Sequence, residues 1–273
     1  MSELGVAGHV TRDLLASGER IGGAAAYGAL AAAALEVDVT LATSAPDDPA
    51  LLAPLVHPRI RLVRQPSALA TTFELSYAGP RRRLWVRASA EPLSLATLRA
   101  VAAPAMYVGP VVGEVRPEHL RELGAVRLVL GVQGWLRALD AQGEVKSAEP
   151  SVLWRLPERA DLVLSEEDHE AADALARELS SAERAVLVTR GARGVTCFSA
   201  GSAQHSPAPA ALALDPTGAG DVFGVVYTLR RQRGDDRATA IARAQWAAAR
   251  SVEGLGVGRL AEAAAHVMSG SQG

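Results

Sequence analysis

The chain alternates between short apolar runs and longer amphipathic stretches. In its middle, four apolar runs predict buried strands at 105–108, 126–132, 161–164 and 185–189, and helical stretches lie between them at 117–123, 151–155 and 166–179. Two further strands are predicted at 4–10 and 37–43, with an alanine-rich helix between them. Strands that alternate with helices are typical of a parallel sheet covered by helices. The pattern therefore predicts an α/β fold.

A different pattern occupies residues 59–87. Short alternating runs at 60–63, 73–77 and 84–86 are interrupted by Gly79-Pro80. Alternation of this kind around a Gly-Pro pair predicts antiparallel strands joined by a hairpin turn. The cluster Arg81-Arg82-Arg83 is too short, and too poor in interleaved aromatic residues, for a nucleic-acid surface. A solvated hairpin tip is the preferred interpretation.

An amphipathic helix is predicted at 219–231, because Val222, Val225, Val226 and Leu229 recur at helical spacing. Three small residues, Gly218, Ala219 and Gly220, lie at its start. Small residues allow close approach of the backbone to a ligand, and free N–H groups at a helix N-terminus favour an anion.

Asp221 falls in the first turn of this helix. A carboxylate beside an anion site is what a kinase needs to phosphorylate an alcohol. The carboxylate accepts the hydroxyl proton, and the amides stabilise charge on the transferred group. The structural alternative is an acidic residue that interacts only with the helix dipole.

Composition narrows the class of protein. With 273 residues, 49% of them hydrophobic and 21% charged, the chain is expected to form a globular protein with a large core. The net charge of −2 predicts no attraction to nucleic acid or to an anionic membrane, and no apolar run reaches spanning length. The first residues lack the pattern of a signal peptide, and the single cysteine, Cys197, excludes an internal disulfide. We therefore expect a cytoplasmic protein.

Lys146 is the only lysine, and it lies in a polar turn. A Walker-type phosphate loop needs a Gly-Lys-Ser/Thr sequence, and a protein kinase needs a lysine on an inner strand. Both are excluded. Phosphate transfer would have to use backbone amides, a metal ion and arginine.

The string from Asp215 to Asp221, Asp-Pro-Thr-Gly-Ala-Gly-Asp, resembles the C-terminal signature of the ribokinase-like (PfkB-type) carbohydrate kinases. Looser similarity runs from Gly22-Gly23 to the glycine loop at 254–258. The resemblance implies a three-layer α/β/α sandwich with a mainly parallel sheet, formed as one domain over 1–273. It also implies a small β lid built from segments near 11–20 and 60–88.

The implied activity is ATP-dependent phosphorylation of a hydroxyl of a sugar or polyol. Asp221 would be the general base, and the amides of Gly218, Ala219 and Gly220 would form the anion hole. Kinases of the same fold that act on a nucleoside or a vitamin alcohol remain an alternative. So does a sugar- or nucleotide-binding homologue with impaired catalysis.

Candidate acceptor-binding residues follow predicted strands or begin a helix. Asp13 lies just past the first strand, where ligand groups collect in α/β sheets, although a solvated turn carboxylate fits equally. The resemblance associates Gly22 and Gly23 with the sugar, and tight packing by small residues is the alternative. Gln133 lies in the sequence Val-Gln-Gly-Trp-Leu-Arg at 132–137, which resembles a little-characterised sugar-kinase branch. A substrate contact and a structural turn both remain open for it.

The donor side is implied by the resemblance, with ATP and Mg²⁺ as cofactors. Thr189, Gly191, Thr217 and Gln245 are the nucleotide-binding candidates. Where the family has Asn-x-x-Glu, this chain has Ser165 and Asp168, so Asp168 is the metal candidate within a shortened set of oxygen ligands. The alternative is a helix cap at Ser165. Exposed lid strands often pair to hide their edges, so a homodimer through the lid is a further expectation.

Overall fold

The structure is a computed structural model, and it describes residues 2–78, 81–101, 103–124, 126–257 and 259–269. The strands are β1 (Leu4–Ala7), β2 (Thr11–Leu15), β3 (Gly18–Gly22), β4 (Val39–Ala45), β5 (Ile60–Pro66), β6 (Thr71–Ala78), β7 (Arg81–Ala88), β8 (Ala105–Val108), β9 (Arg127–Gly131), β10 (Arg137–Leu139), β11 (Val145–Ser147), β12 (Asp161–Ser165), β13 (Val186–Thr189), β14 (Val195–Ser199) and β15 (Ser202–Ser206). The α-helices are α1 (Ala24–Ala34), α2 (Pro49–Leu52), α3 (Leu95–Arg99), α4 (Pro117–Arg121), α5 (Ala172–Leu179), α6 (Ala219–Gln232), α7 (Arg237–Ser251) and α8 (Ala264–Met268).

Nine strands form the central sheet, in the order β15-β14-β13-β12-β9-β8-β1-β4-β5. Seven of these strands run parallel: β13, β12, β9, β8, β1, β4 and β5. The other two, β14 and β15, close one edge of the sheet in antiparallel pairing. All residues of β1, β4 and β8 are buried. Strands covered on both faces are expected to be continuous apolar runs, which is the pattern that the sequence shows.

Helices cover both faces of this sheet. One hydrophobic cluster joins α1, α6 and α7 to one face, and a second joins α3, α4 and α5 to the other. The predicted three-layer α/β/α sandwich with a mainly parallel sheet is therefore confirmed. Among the residues that the structure describes, no helix is both long and apolar enough to cross a bilayer.

A second, four-stranded sheet has the order β3-β2-β6-β7. The prediction that this sheet begins near residue 60 is wrong, because β5 pairs in parallel with β4, with Ile60 opposite Val39, at the edge of the central sheet. Its alternating pattern is that of any half-exposed strand and does not reveal which sheet it joins. The small sheet is built from 11–22 and 71–88, and the predicted turn at Gly79-Pro80 lies outside the described residues.

The helix predicted at 166–179 begins only at Ala172. Residues 165–168 form a turn instead, in which the amide of Ser165 donates to Oδ2 of Asp168 at 2.9 Å. The acidic run before α5 therefore supplies side chains at the end of β12 and does not extend the helix.

Candidate active site

A cleft of about 450 Å³ lies between the carboxyl edge of the central sheet and the small sheet. Residues at the ends of β8, β9, β12 and β13 form its floor: Gly109, Gly131, Ser165 and Thr189. Phe73 and Leu84 reach into it from the small sheet. The cleft contains most of the residues predicted for the site: Asp13, Gly23, Gln133, Asp168, Thr189, Gly191, Thr217, Gly218, Ala219, Gly220, Asp221 and Gln245.

The loop before α6 presents backbone amides to this cleft. Gly218 caps the helix with φ +79°, and a Cβ there would lie 2.4 Å from the Tyr27 ring, so only glycine fits. The amide of Ala219 donates to the carbonyl of Pro216 at 3.3 Å. Within the described part of the chain, the amides of Gly218 and Gly220 have no partner. Two of the three predicted amides are thus available to an anion.

Asp221 follows at the first turn of α6, with a partly buried side chain. Tyr107 donates its hydroxyl to Oδ1 of Asp221 at 3.0 Å. Burial raises the pKa of Asp221 to about 6, although the Tyr107 hydrogen bond and the charge of Arg137 oppose the shift. A carboxylate with this pKa is ionised at neutral pH and is more basic than an ordinary aspartate, which suits a general base.

Tyr107 was not predicted from the sequence. It is 1% exposed, in the middle of β8, and burial with the nearby charge of Asp221 raises its pKa well above the usual value. It therefore stays protonated as a hydrogen-bond donor. A Cβ at Gly131 or Gly224 would lie within 2.4 Å of the Tyr107 side chain. Glycine is unfavourable inside a helix, so Gly224 in the interior of α6 was a feature of the sequence that could have indicated a bulky neighbouring side chain.

Asp13, which also lines the cleft, lies in β2 and is 5% exposed, so a solvated turn is excluded. Its Oδ1 accepts a hydrogen bond from Thr11 at 2.8 Å. Gly23 lines the cleft with φ +91°, and a Cβ there would meet the His9 carbonyl at 2.3 Å. Gly22 is not among the lining residues. A Cβ at Gly22 would lie 2.3 Å from Oδ2 of Asp13, so this glycine makes room for the carboxylate.

Arg137 is the one arginine among the residues that line the described cleft. Its Nη1 donates to the carbonyl of Val111 at 2.8 Å, and its guanidinium carbon lies 5.6 Å from the centroid of the Phe73 ring. The motif at 132–137 contains this residue, but nothing in that motif predicted a role for it. Lys146 pairs instead with Glu144 at 2.6 Å and does not line the cleft.

Gln133 and Asp168 interact across the ends of β9 and β12. Nε2 of Gln133 donates to Oδ1 of Asp168 at 2.8 Å, and Oδ2 accepts from the Ser165 amide. Glu167 also lines the cleft. Among the described residues, no three His, Cys, Asp or Glu side chains are grouped as a metal cage. One or two carboxylates suit Mg²⁺ that is held mainly by water and phosphate oxygens.

The other end of the cleft is mainly apolar, with the lining residues Val195, Ala208, Pro209, Ala211, Ala213, Ala248, Ala249 and Val252. Gln245 lies here but is 5% exposed, and Ser206 engages its amide group. Oε1 of Gln245 accepts from the Ser206 hydroxyl at 2.8 Å, and its Nε2 donates to the Ser206 carbonyl at 2.9 Å. The side chain therefore ties α7 to β15.

Arg20 connects the small sheet to the loop before α6. It donates to Oδ2 of Asp215 and to Oγ1 of Thr217, both at 2.9 Å. Burial would raise the pKa of Asp215, but hydrogen bonds from Thr217 and the charge of Arg20 hold it below its usual value. The position of the glycine loop thus depends on a residue of the small sheet.

Comparison with known families identifies the class of protein to which this fold and cleft belong. The model of the pfkB family of carbohydrate kinases matches residues 16–264. The chain therefore belongs to the pfkB carbohydrate kinase family. No curated protein matches it in a sequence search.

Similar solved structures are kinases of the ribokinase family. A pyrophosphate-dependent myo-inositol-1 kinase has a TM-score of 0.78 and 17% identity, with 98% of this chain and 99% of that chain covered. Ribokinase from Arabidopsis thaliana, complexed with ribose and ATP, has a TM-score of 0.71 and 16% identity, with 99% of both chains covered. Aminoimidazole riboside kinase from Salmonella enterica, in complex with its substrate and an ATP analogue, has a TM-score of 0.72 and 18% identity, with 97% and 99% covered.

Proposed function

We propose that this protein is an ATP-dependent kinase that phosphorylates a hydroxyl group of a sugar or polyol. The observation that carries the proposal is the position of Asp221 in the cleft, beside the unpartnered amides of Gly218 and Gly220. Family membership supports phosphoryl transfer to an alcohol in general. We propose in addition that ATP is the donor, that a sugar or polyol is the acceptor, and that the residues of the cleft have the roles described below.

In the proposed reaction, Asp221 accepts the proton of the acceptor hydroxyl through its Oδ2, while Tyr107 holds Oδ1. The hydroxyl oxygen then attacks the terminal phosphorus of the donor. The bond between that phosphorus and the leaving phosphate oxygen breaks, and ADP departs. The two glycine amides stabilise charge on the transferred group, and Arg137 adds positive charge on the acceptor side.

ATP is favoured over pyrophosphate as the donor because the part of the cleft beyond Gly191 has a mainly apolar lining. Val195, Ala248 and Val252 belong to a lining that could cover a purine ring, whereas pyrophosphate has no group to fill such a space. The choice of donor matters, since three of the similar solved structures are pyrophosphate-dependent kinases. Mg²⁺ would neutralise charge on the donor phosphates when bound, and Asp168 with Glu167 fits its preference for oxygen ligands.

On the acceptor side, Asp13 offers a buried carboxylate to hydroxyl groups, and Phe73 with Leu84 covers the site from the small sheet. A cover of this kind excludes water and so prevents simple hydrolysis of the donor. One carboxylate can accept hydrogen bonds from several hydroxyl groups, so Asp13 favours a substrate that carries several hydroxyl groups.

The test measures phosphate transfer by the purified protein with Mg²⁺ and either ATP or pyrophosphate, against sugars, polyols, nucleosides and vitamin alcohols. We expect transfer from ATP to a sugar or polyol, which Asp221→Asn should reduce by about 10²–10⁴-fold and Asp47→Asn, at an exposed position, should leave unchanged. Preferential use of a nucleoside would support the first alternative. Binding of a sugar by calorimetry, without transfer to any alcohol from either donor, would support the non-catalytic homologue.

A further inference from the structure

A second cavity, of about 480 Å³, lies at the opposite edge of the central sheet. It lies beside the amino ends of β8, β9 and β12, where Pro104, Arg127 and Asp161 line it. Its walls carry five arginines, which we call the arginine groove: Arg121, Arg127, Arg159, Arg231 and Arg237. Ten residues of α6, or about 15 Å, separate Arg231 from Asp221, so this groove is distinct from the active cleft.

None of the arginines of the groove forms an ion pair with a described residue. Among the described residues, none of the five has a carboxylate oxygen within 4.0 Å, whereas Arg83 and Arg233 on other surfaces pair with glutamates. Arg121, Arg127 and Arg159 are exposed, and within the same described part of the chain their side chains make no hydrogen bond. Three guanidinium groups at the rim therefore remain available to a ligand.

The two arginines of the inner wall, Arg231 and Arg237, are partly engaged by the protein. Arg231 donates from Nη1 to the carbonyl of Asp235, and Arg237 donates from Nη1 to the Ser199 hydroxyl at 2.8 Å. The Nε atoms of Arg231 and Arg237 are buried without a partner among the described residues. The Nε atoms of Arg20, Arg184 and Arg250, which do not line the groove, are in the same position, so the case for a ligand rests on the exposed arginines of the rim.

Acidic residues offset part of this charge, since Glu118 and Asp236 interact electrostatically with Arg121 and Arg231. Two carboxylates line the groove, those of Asp161 and Glu183, against five guanidinium groups. Asp161 is 6% exposed and accepts hydrogen bonds from the Tyr227 hydroxyl and the Ala185 amide, both at 2.8 Å. The chain as a whole carries a net charge of −2, so the positive excess is a local feature.

We propose that the arginine groove binds a small anion that bears two or more phosphate-type charges. Arginine matches phosphate oxygens with paired N–H donors, and several arginines around one cavity favour a multiply charged ligand. A single-stranded nucleic acid is less suited, because the described lining contains no aromatic side chain on which bases could stack.

Inorganic pyrophosphate is the probe, titrated by calorimetry into full-length protein whose active cleft is saturated with a non-hydrolysable ATP analogue. Saturable binding of one equivalent is expected, and it should weaken as NaCl is raised. Arg127→Gln/Arg159→Gln should raise the Kd at least about tenfold, the loss expected for two charge-assisted contacts. Arg59→Gln/Arg259→Gln removes the same charge elsewhere on the surface and should leave the Kd within about twofold.

Three results would overturn the proposal. Wild-type protein that shows no saturable binding below about 1 mM would do so. Equal weakening by both double variants would show that only net charge matters. A single-stranded oligonucleotide that binds more tightly than pyrophosphate, and loses this binding in Arg127→Gln/Arg159→Gln, would replace the small anion with nucleic acid. Because both groove positions are exposed, unchanged melting temperatures are expected and exclude misfolding as a cause.

Discussion

The two ends of the active cleft use their polar side chains differently. At the start of α6, Asp221 accepts one hydrogen bond, from Tyr107 to Oδ1, and its Oδ2 has no partner among the described residues. Elsewhere in the cleft, the protein engages both oxygens of Asp168 and both polar atoms of the Gln245 amide. One end keeps hydrogen-bonding capacity for a ligand, and the other uses it to fix the structure.

This difference separates reaction chemistry from positioning. A partly buried carboxylate with an incomplete set of partners is destabilising, and such groups are typical of active sites. Side chains whose hydrogen-bonding groups all have protein partners instead hold loops in place. They contribute to ligand binding mainly through the shape of the cleft. We therefore expect substitutions at Asp221 to affect the reaction most, and substitutions at Gln245 to affect mainly stability.

The largest effect is expected for Asp221→Asn. Without the carboxylate no base accepts the hydroxyl proton, so kcat should fall by about 10²–10⁴-fold. Steady-state kinetics with the best acceptor measures this loss, and Asp47→Asn is the control at an exposed position. Activity of Asp221→Asn within about threefold of wild type would contradict the assignment of the base.

The same variant should be more stable than the wild type at pH 7. The folded pKa of Asp221 is about 6, raised from 3.8, so the folded state binds more protons than the unfolded state between these values. Stability contributed at this site is therefore lost as pH rises through that window. A neutral side chain should recover about 1 kcal/mol, or about 2–4 °C in Tm. A lower Tm for Asp221→Asn than for wild type would contradict this expectation.

Asp168→Asn should have the next largest effect. The change removes one negative charge and one acceptor from the turn that holds Gln133 and the Ser165 amide. We expect the Mg²⁺ concentration that gives half-maximal activity to rise about tenfold, with a smaller change in kcat. Titration of activity with Mg²⁺ measures this, and Glu170→Gln on the same loop is the control. An unchanged Mg²⁺ requirement would leave Asp168 with a purely structural role.

The same contrast explains what the sequence could predict. The strand at 105–108 matches β8, because a strand buried on both faces is a continuous apolar run. The glycine loop and Asp221 were predictable because a helix N-terminus is a local structure whose residues are adjacent in the chain. Tyr107 was not, since its contact with Asp221 joins residues 114 positions apart and depends on the order of strands in the sheet.

Local sequence also does not show whether a polar group is already engaged. Gln245 was predicted to contact the nucleotide, and nothing near it in sequence indicates that Ser206 binds both ends of its amide. Arg137 lay in the motif at 132–137, but its approach to Phe73 depends on how the small sheet covers the cleft. These roles depend on tertiary contacts.

Tyr107→Phe should change the pH dependence of the reaction. The hydrogen bond from Tyr107 lowers the pKa of Asp221, so its loss should move that pKa above about 6. Because the base must be ionised, kcat/KM rises with pH, and the rising limb should shift to higher pH. At pH 7 the variant should lose about threefold to tenfold in kcat/KM and recover part of it at higher pH.

The control for Tyr107→Phe is Tyr227→Phe. Tyr227 donates to Asp161, away from the cleft, so its loss should lower stability and leave the pH profile unchanged. If both variants shift the pH profile equally, the effect is one of general destabilisation and the hydrogen bond to Asp221 is not its cause.

Gln245→Ala should have the smallest effect on catalysis. Since both polar atoms of the amide bind Ser206, we expect the KM for ATP to stay within about twofold of wild type. The loss of two hydrogen bonds at a buried position should instead lower the free energy of unfolding by about 1–3 kcal/mol. Denaturation of Gln245→Ala, Ser206→Ala and the double variant measures their coupling, which should be less than additive because the serine hydroxyl is shared. A tenfold rise in KM with unchanged stability would show that Gln245 leaves Ser206 to bind the nucleotide, and the contrast between the two ends of the cleft would then fail.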